Sequence, residues 1–247
     1  MFKQTLSSNP VVFAGIETFD GGDTAGIRMR NLSSTSVEVR IEEEQSEDSE
    51  TAHTTEVVGF FALESGAILD NQGSLIGEAG LTSSGQINNG SWKTITLSKD
   101  YNSPVVIMNI LTANGYEQSH IRLRNVKANS FQYQIEEWDY LDQAHGEELI
   151  SYLVIEEGVH SLNDGRKIQV GVVGNNQKWK TVTFPEIFGR IPVTLSQSQT
   201  YNGGQAIVTR QKNVSSSKFD VRLQEEEGND GFHWQETIGY VAIEVDL

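Results

Sequence analysis

The sequence predicts an all-β protein of tandem antiparallel β-sandwich units, and three observations predict it. Apolar and polar residues alternate with a period of two: Val37, Val39 and Ile41 interleave with Glu38, Arg40 and Glu42, and Phe131, Tyr133 and Ile135 with Gln132, Gln134 and Glu136. Strands written this way have one apolar and one wet face, as antiparallel sheets require. Asp-Gly, Asn-Gly and Gly-Gly punctuate these stretches, and no long amphipathic helical pattern interrupts them. Finally, one order of signals is written three times.

The repeat aligns without a gap. From Pro10, Pro104 and Pro192 to Asn31, Asn125 and Asn213 the spacing is 21 residues in each copy. Each Pro opens a Val-rich strand that runs into one loop, read as TFDGGD from Thr18, TANGYE from Thr112 and TYNGGQ from Thr200. An alternating strand follows (VEVRIEEE, FQYQIEEW, FDVRLQEE), then a His-x-x-Glu, then VVGFFAL, LISYLVI or TIGYVAI. These closing strands are apolar on both faces, which predicts a central, buried position. Units two and three also carry a front element, GSLIGEAG or GRKIQVG, and a Trp-led strand, WKTITL or WKTVTF. Residues 1–66, 67–158 and 159–247 are therefore expected to be three units of about six strands, the first lacking its first strand. An open edge of that kind predicts a contact with another chain, a homo-oligomer among the options.

Composition narrows the function. With 34 acidic against 18 basic residues the net charge is −16, which argues against binding nucleic acid or anionic lipid. No apolar run is long enough for membrane insertion, and MFKQTLSSNP has no signal-peptide core. There is no cysteine, so disulfides, thiolate metal sites and cysteine nucleophiles are excluded. An acidic chain of this kind fits an extracellular or cell-surface setting.

The order of signals resembles the H-type lectin domain of snail agglutinins and of the C-terminal part of discoidins. SPVVIMNI, FQYQIEEW and LISYLVIE carry the resemblance in unit two, GRKIQVG and IPVTLSQ in unit three. It implies a six-stranded antiparallel sandwich that binds galactose-type sugars and assembles as trimers. The family's aromatic-His pair falls on Trp138 and Asp139; the Trp matches and the His does not, while units one and three have Glu44 and Glu226 there.

Sugar recognition needs planar polar groups for hydroxyls and an aromatic face for the C–H side of the ring. Candidate glycan or polysaccharide contacts are Trp138, Asp139, Tyr140 and Asn114, with Arg122 and the equivalents Asp20, Arg28, Asn202 and Arg210. The plainer reading of the repeated loop is a two-residue hairpin turn. His53 with Glu56, His145 with Glu148, and His233 with Glu236 could bind a divalent cation, calcium or zinc, provided a turn brings i and i+3 together. The plainer reading there is a His that caps a strand entry. The acids recur symmetrically and no nucleophile or phosphate-loop motif occurs, so a non-catalytic module is expected over an enzyme. The rival is a structural repeat of a fibre, filament or phage tail. Sequons stand at Asn31, Asn89 and Asn213.

Overall fold

The structure, a computed structural model, describes residues 1–6, 10–86, 88 and 90–245; the sequon at Asn89 lies outside them. Among the described residues every regular element is a strand, and all pairings are antiparallel. Among the described residues no helix is long and apolar enough to cross a membrane.

Unit one has β1 (Val11–Ile16), β2 (Ala25–Arg30), β3 (Glu38–Glu43) and β4 (Val58–Leu63). Unit two runs through β5 (Gly66–Leu69), β6 (Leu75–Gln86), β7 (Lys93–Thr96), β8 (Pro104–Ile110), β9 (Ser119–Lys127), β10 (Ser130–Glu137) and β11 (His145–Glu156). Unit three repeats it as β12 (Gly158–Ser161), β13 (Lys167–Asn175), β14 (Lys180–Thr183), β15 (Val193–Ser198), β16 (Ile207–Lys212), β17 (Lys218–Glu225) and β18 (Glu236–Ile243). Units two and three each hold a four-stranded sheet (β5-β6-β11-β8; β12-β13-β18-β15) and a three-stranded one (β7-β10-β9; β14-β17-β16).

Each of these units thus has seven strands where six are expected. The extra strand is the short β5 or β12, folded back on its neighbour by a turn that holds Gly73 at φ 80° or Gly165 at φ 87°. Only glycine takes that conformation without strain. Unit one differs more than the sequence suggests. Among the described residues its sheets are the pairs β1-β4 and β2-β3, with no counterparts of β5, β6 and β7.

Period-two alternation explains why the Pro-led and closing strands are apolar on both sides. Val106 and Met108 of β8, with Ile150 and Val154 of β11, join Ile121, Leu123, Phe131, Tyr133 and Ile135 in a core belonging to unit two. Their neighbours Val105, Ile107, Leu153 and Ile155 point the other way and join a central cluster. Val11, Phe13 and Phe61 of unit one and Ile168, Val170, Leu195 and Val241 of unit three complete that cluster. One strand therefore feeds two cores. The repeated Asn closes the β2–β3 turn and its copies: Asn31, Asn125 and Asn213 sit in the left-handed region at φ 52°, 50° and 55°, where Asn is tolerated best after Gly.

Candidate functional site

The thrice-written loop joins β1 to β2, β8 to β9 and β15 to β16, strands of different sheets. It is not a hairpin turn, and Gly21, Gly115 and Gly203 do not adopt the left-handed φ such a turn needs. The reason for the glycine is steric. A Cβ on Gly203 would stand 2.5 Å from Cε1 of His233, and Gly21 and Gly115 face His53 and His145 in the same way.

Each loop is folded onto one buried carboxylate. Glu236 accepts the N–H of Asn202 at 2.7 Å, that of Gly203 at 3.2 Å and the Thr200 hydroxyl at 2.5 Å. Glu148 accepts Gly115 N–H at 2.8 Å and the Thr112 hydroxyl. Glu56 accepts Asp20 and Gly21 N–H at 3.0 and 3.3 Å and the Thr18 hydroxyl. Backbone groups that would otherwise be buried unpaired are satisfied here by a charge, a strong form of hydrogen bond.

In unit two a register shift in β11 between His145 and Glu148 takes the place of the turn that the His-x-x-Glu spacing asks for. Each imidazole lies between two carboxylates. His145 Nδ1 is 2.9 Å from Glu137 and Nε2 3.2 Å from Glu148; His233 stands 2.9 Å from Glu225 and 3.2 Å from Glu236; His53 stands 2.5 Å from Glu43 and 3.0 Å from Glu56. Both ring nitrogens are engaged in every copy. In the predicted cation set of His53, Glu56, His145, Glu148, His233 and Glu236 each imidazole is thus hydrogen-bonded to a carboxylate on both sides. Burial alone would lower the His145 pKa, but its hydrogen bonds to Glu148 and Glu137 outweigh this and raise it. Desolvation likewise pushes Glu148 up, and the bonds from His145, Thr112 and Gly115 overcome this and hold it at about 2.

Arg28, Arg122 and Arg210, expected to fork onto a sugar, are turned inward. Arg210, 0 % exposed, donates to the carbonyls of Asp23 at 2.9 Å and Gly21 at 3.4 Å and to Glu56 at 3.0 Å. Arg122, 1 % exposed, donates to Gln205 O at 2.9 Å and to Glu136 at 3.1 Å, with Glu236 3.6 Å away. Arg28 donates to the carbonyls of Gly115, at 2.6 Å, and Glu117. Unit one thus reaches into the loop of unit two, unit two into unit three, and unit three into unit one. The three units close a ring, and the loop is the socket of each junction.

Aromatic rings line two of the sockets. Phe19 lies 4.6 Å from the Arg210 guanidinium and 5.1 Å from Trp179; Tyr201 lies 4.5 Å from Arg122 and 5.1 Å from Trp92. At the third, the corresponding residue is Ala113, and unit one has no Trp-led strand to meet it.

Glu17 and Gln199 occupy one repeat position, and both reach across a junction. Gln199 accepts Val106 N–H at 2.9 Å and donates back to Val106 O at 2.8 Å; Glu17 accepts Thr194 N–H at 2.6 Å. Burial raises Glu17 from 4.5 to about 7 against that hydrogen bond. Between those values the folded chain holds a proton that the unfolded chain has lost, so stability falls as pH rises through the window. The shift corresponds to roughly 3 kcal/mol at 1.36 per unit. Glu17→Gln, copying the Gln199 arrangement, should be more stable than the parent at pH 8 and indistinguishable at pH 4.5, by urea denaturation. The fall will shrink without vanishing, since Glu226 and Glu227 are also raised to about 7 by burial.

Trp138 is only 2 % exposed; its indole N–H donates to Gln118 at 3.1 Å and its ring lies 4.8 Å from that of His120. It has no free face for a sugar. Asp139 accepts Asn229 Nδ2 at 3.1 Å, and the Tyr140 hydroxyl accepts Gln45 N–H at 3.0 Å, so both tie the ends of different units together. Asp20, Asn114 and Asn202 are exposed, and the amides of Asn114 and Asn202 donate to Glu147 O and Gln235 O at 2.8 Å each. Sequence reasoning missed Phe232 and Trp234, 46 % and 63 % exposed, whose rings meet edge-on with centroids 5.4 Å apart. The available signal was their singularity: units one and two have Ala52 and Thr54, and Ala144 and Gly146, at these positions.

The chain is 36 % identical over 166 residues to halomucin of Haloquadratum walsbyi (strain DSM 16790 / HBSQ001); the match takes in 62 % of this chain and 2 % of that protein. No family model and no solved structure matches it.

Proposed function

We propose that the chain is a non-catalytic, carbohydrate-binding module of an extracellular or cell-surface protein, and that it meets its glycan at Phe232 and Trp234. The exposed aromatic pair carries this reading. It is held on a fixed base: Asp230 accepts the Phe232 N–H at 2.9 Å, and His233 between the two rings is gripped by Glu225 and Glu236. A rigid, exposed aromatic edge suits the C–H face of a pyranose, and the Gln177 side chain beside His233 supplies an amide for hydroxyls. Similarity to a protein named as a mucin supports a place outside the cell. The buried His–carboxylate sets are committed to holding loops, which supports binding over hydrolysis.

Covering part of an aromatic face is worth roughly 1–2 kcal/mol at about 25 cal/mol per Å², on the order of tenfold in affinity. On a glycan array or by affinity electrophoresis, Trp234→Ala should weaken binding about tenfold with its melting temperature unchanged. Trp138→Ala should do the reverse, losing about 3–5 kcal/mol of stability as large-to-small core substitutions do and keeping its affinity. Undiminished binding by Trp234→Ala would remove the assignment.

One observation favours a second reading, an assembly repeat. Among the described residues β3 and β4 of unit one each pair along one edge only, and Arg30 is exposed where its counterpart Arg124 has Trp92 4.1 Å above it. Free edges invite pairing. No retention on any glycan, together with concentration-dependent association, would move the conclusion to this reading.

A further inference from the structure

Around one member of each of two His–carboxylate sets the structure gathers further acids at a repeated position. The carboxylates of Asp23, Glu43 and Glu50 lie within 4.8 Å of one another in unit one, and those of Glu117, Glu137 and Asp142 in unit two. The two groups are the same group: Asp23 and Glu117 close the repeated loop, Glu43 and Glu137 grip the histidine, and Glu50 and Asp142 stand three residues before it.

A second observation gives these clusters meaning. In each copy the glutamate gives one oxygen to the His, and its other oxygen, Oε2 of Glu43, Glu137 or Glu225, is buried without a hydrogen-bond partner. The three residues are 3 %, 0 % and 4 % exposed. Leaving a buried carboxylate oxygen unpaired is costly, and the same atom is left so three times. In units one and two this glutamate instead has two further carboxylates within 4.8 Å. An arrangement that concentrates negative charge on an oxygen lacking a donor fits a cation. With oxygen ligands only, and with the imidazoles already engaged, the cation is a hard one, and an irregular set reaching out to exposed acids suits calcium better than magnesium.

We propose that each chain binds two calcium ions, one held by Asp23, Glu43 and Glu50 and one by Glu117, Glu137 and Asp142. Unit three has Glu225 and Asp230 but Gln205 in place of the third acid, and is the weak or silent copy. Each ion would bridge the socket loop to the segment that carries the histidine, so calcium and the junctions support one another. This proposal does not depend on the glycan assignment.

Isothermal titration of the whole chain with calcium chloride, after chelator treatment, tests it. The parent should bind two ions and melt at a higher temperature with calcium than without. Glu117→Gln with Asp142→Asn should remove one ion, and Asp23→Asn with Glu50→Gln the other. Those four side chains avoid the buried His-gripping glutamates, so the variants should fold; circular dichroism in chelator checks this. Gln205→Glu provides the gain-of-site arm and should raise the count to three. Absence of calcium binding up to millimolar concentration would overturn the proposal. So would binding whose stoichiometry none of the variants changes, because that is the behaviour of a diffuse counter-ion cloud around an acidic protein.

Discussion

Replacing Arg210 by Met should lower the stability of the whole chain by about 3–5 kcal/mol, the range for breaking a buried ion pair by removal of one partner. The guanidinium is fully buried, 3.0 Å from Glu56, and also serves two loop carbonyls of unit one. Without it Glu56 keeps its charge in a dry site, held by the loop N–H groups, the Thr18 hydroxyl and His53. Desolvation lowers the Arg210 pKa to about 10 against the pull of Glu56: burial outweighs the pairing, and the guanidinium still stays charged at neutral pH. Arg28→Met should cost distinctly less. Arg28 is only partly buried, its donors go to carbonyls, and its acidic neighbour Glu42 is 3.6 Å away. Urea denaturation of both variants reads the difference. Equal effects would mean that the buried charge pair is not what holds the junction.

The second large effect is expected from a single methyl group. Gly203→Ala should destabilise by about 2–3 kcal/mol or more, as overpacking a tight site does, because its Cβ would enter the His233 ring, and that ring cannot retreat from the carboxylates on either side. The neighbouring Gly204→Ala meets nothing within 4 Å and should be neutral to within about 0.5 kcal/mol, as surface substitutions are. The two differ by one position in one loop. Thermal melts of the pair separate a packing requirement from a general need for loop flexibility, which would penalise both alike.

Much of the fold was legible in the sequence because period and repeat are local signals. The alternation at Phe131–Tyr133–Ile135 reports one strand without knowledge of its neighbours, and gap-free 21-residue spacing reports the units. What could not be read was where the second face of each strand goes. Val105 and Val106 are adjacent and alike, yet one faces the centre of the ring and the other the core of unit two. For the same reason Arg210 looked like a solvent-facing fork: its partners, Asp23 and Glu56, are 187 and 154 residues away. Trp138 matched an aromatic position of a lectin family, but a motif carries residue type and not exposure. The His–carboxylate sets were half visible. The downstream acids Glu56, Glu148 and Glu236 stood in the motif, whereas the upstream Glu43, Glu137 and Glu225 were hidden in what read as an alternating strand, although their threefold recurrence marked them. The seventh strand was missed because four residues are too few to show a period.

The ring closed by Arg28, Arg122 and Arg210 makes a directional claim, and native-state hydrogen exchange tests it directly. Each arginine protects the loop of the next unit, not of its own. Arg210→Met should therefore speed exchange most at the amides of Asp20 and Gly21, in unit one, and leave Asn202 and Gly203 nearer to the parent. Arg122→Met should act on Asn202 and Gly203 instead. If each substitution loosens chiefly the loop within its own unit, the units do not interlock in this order and the account of the repeated loop as a junction socket is wrong.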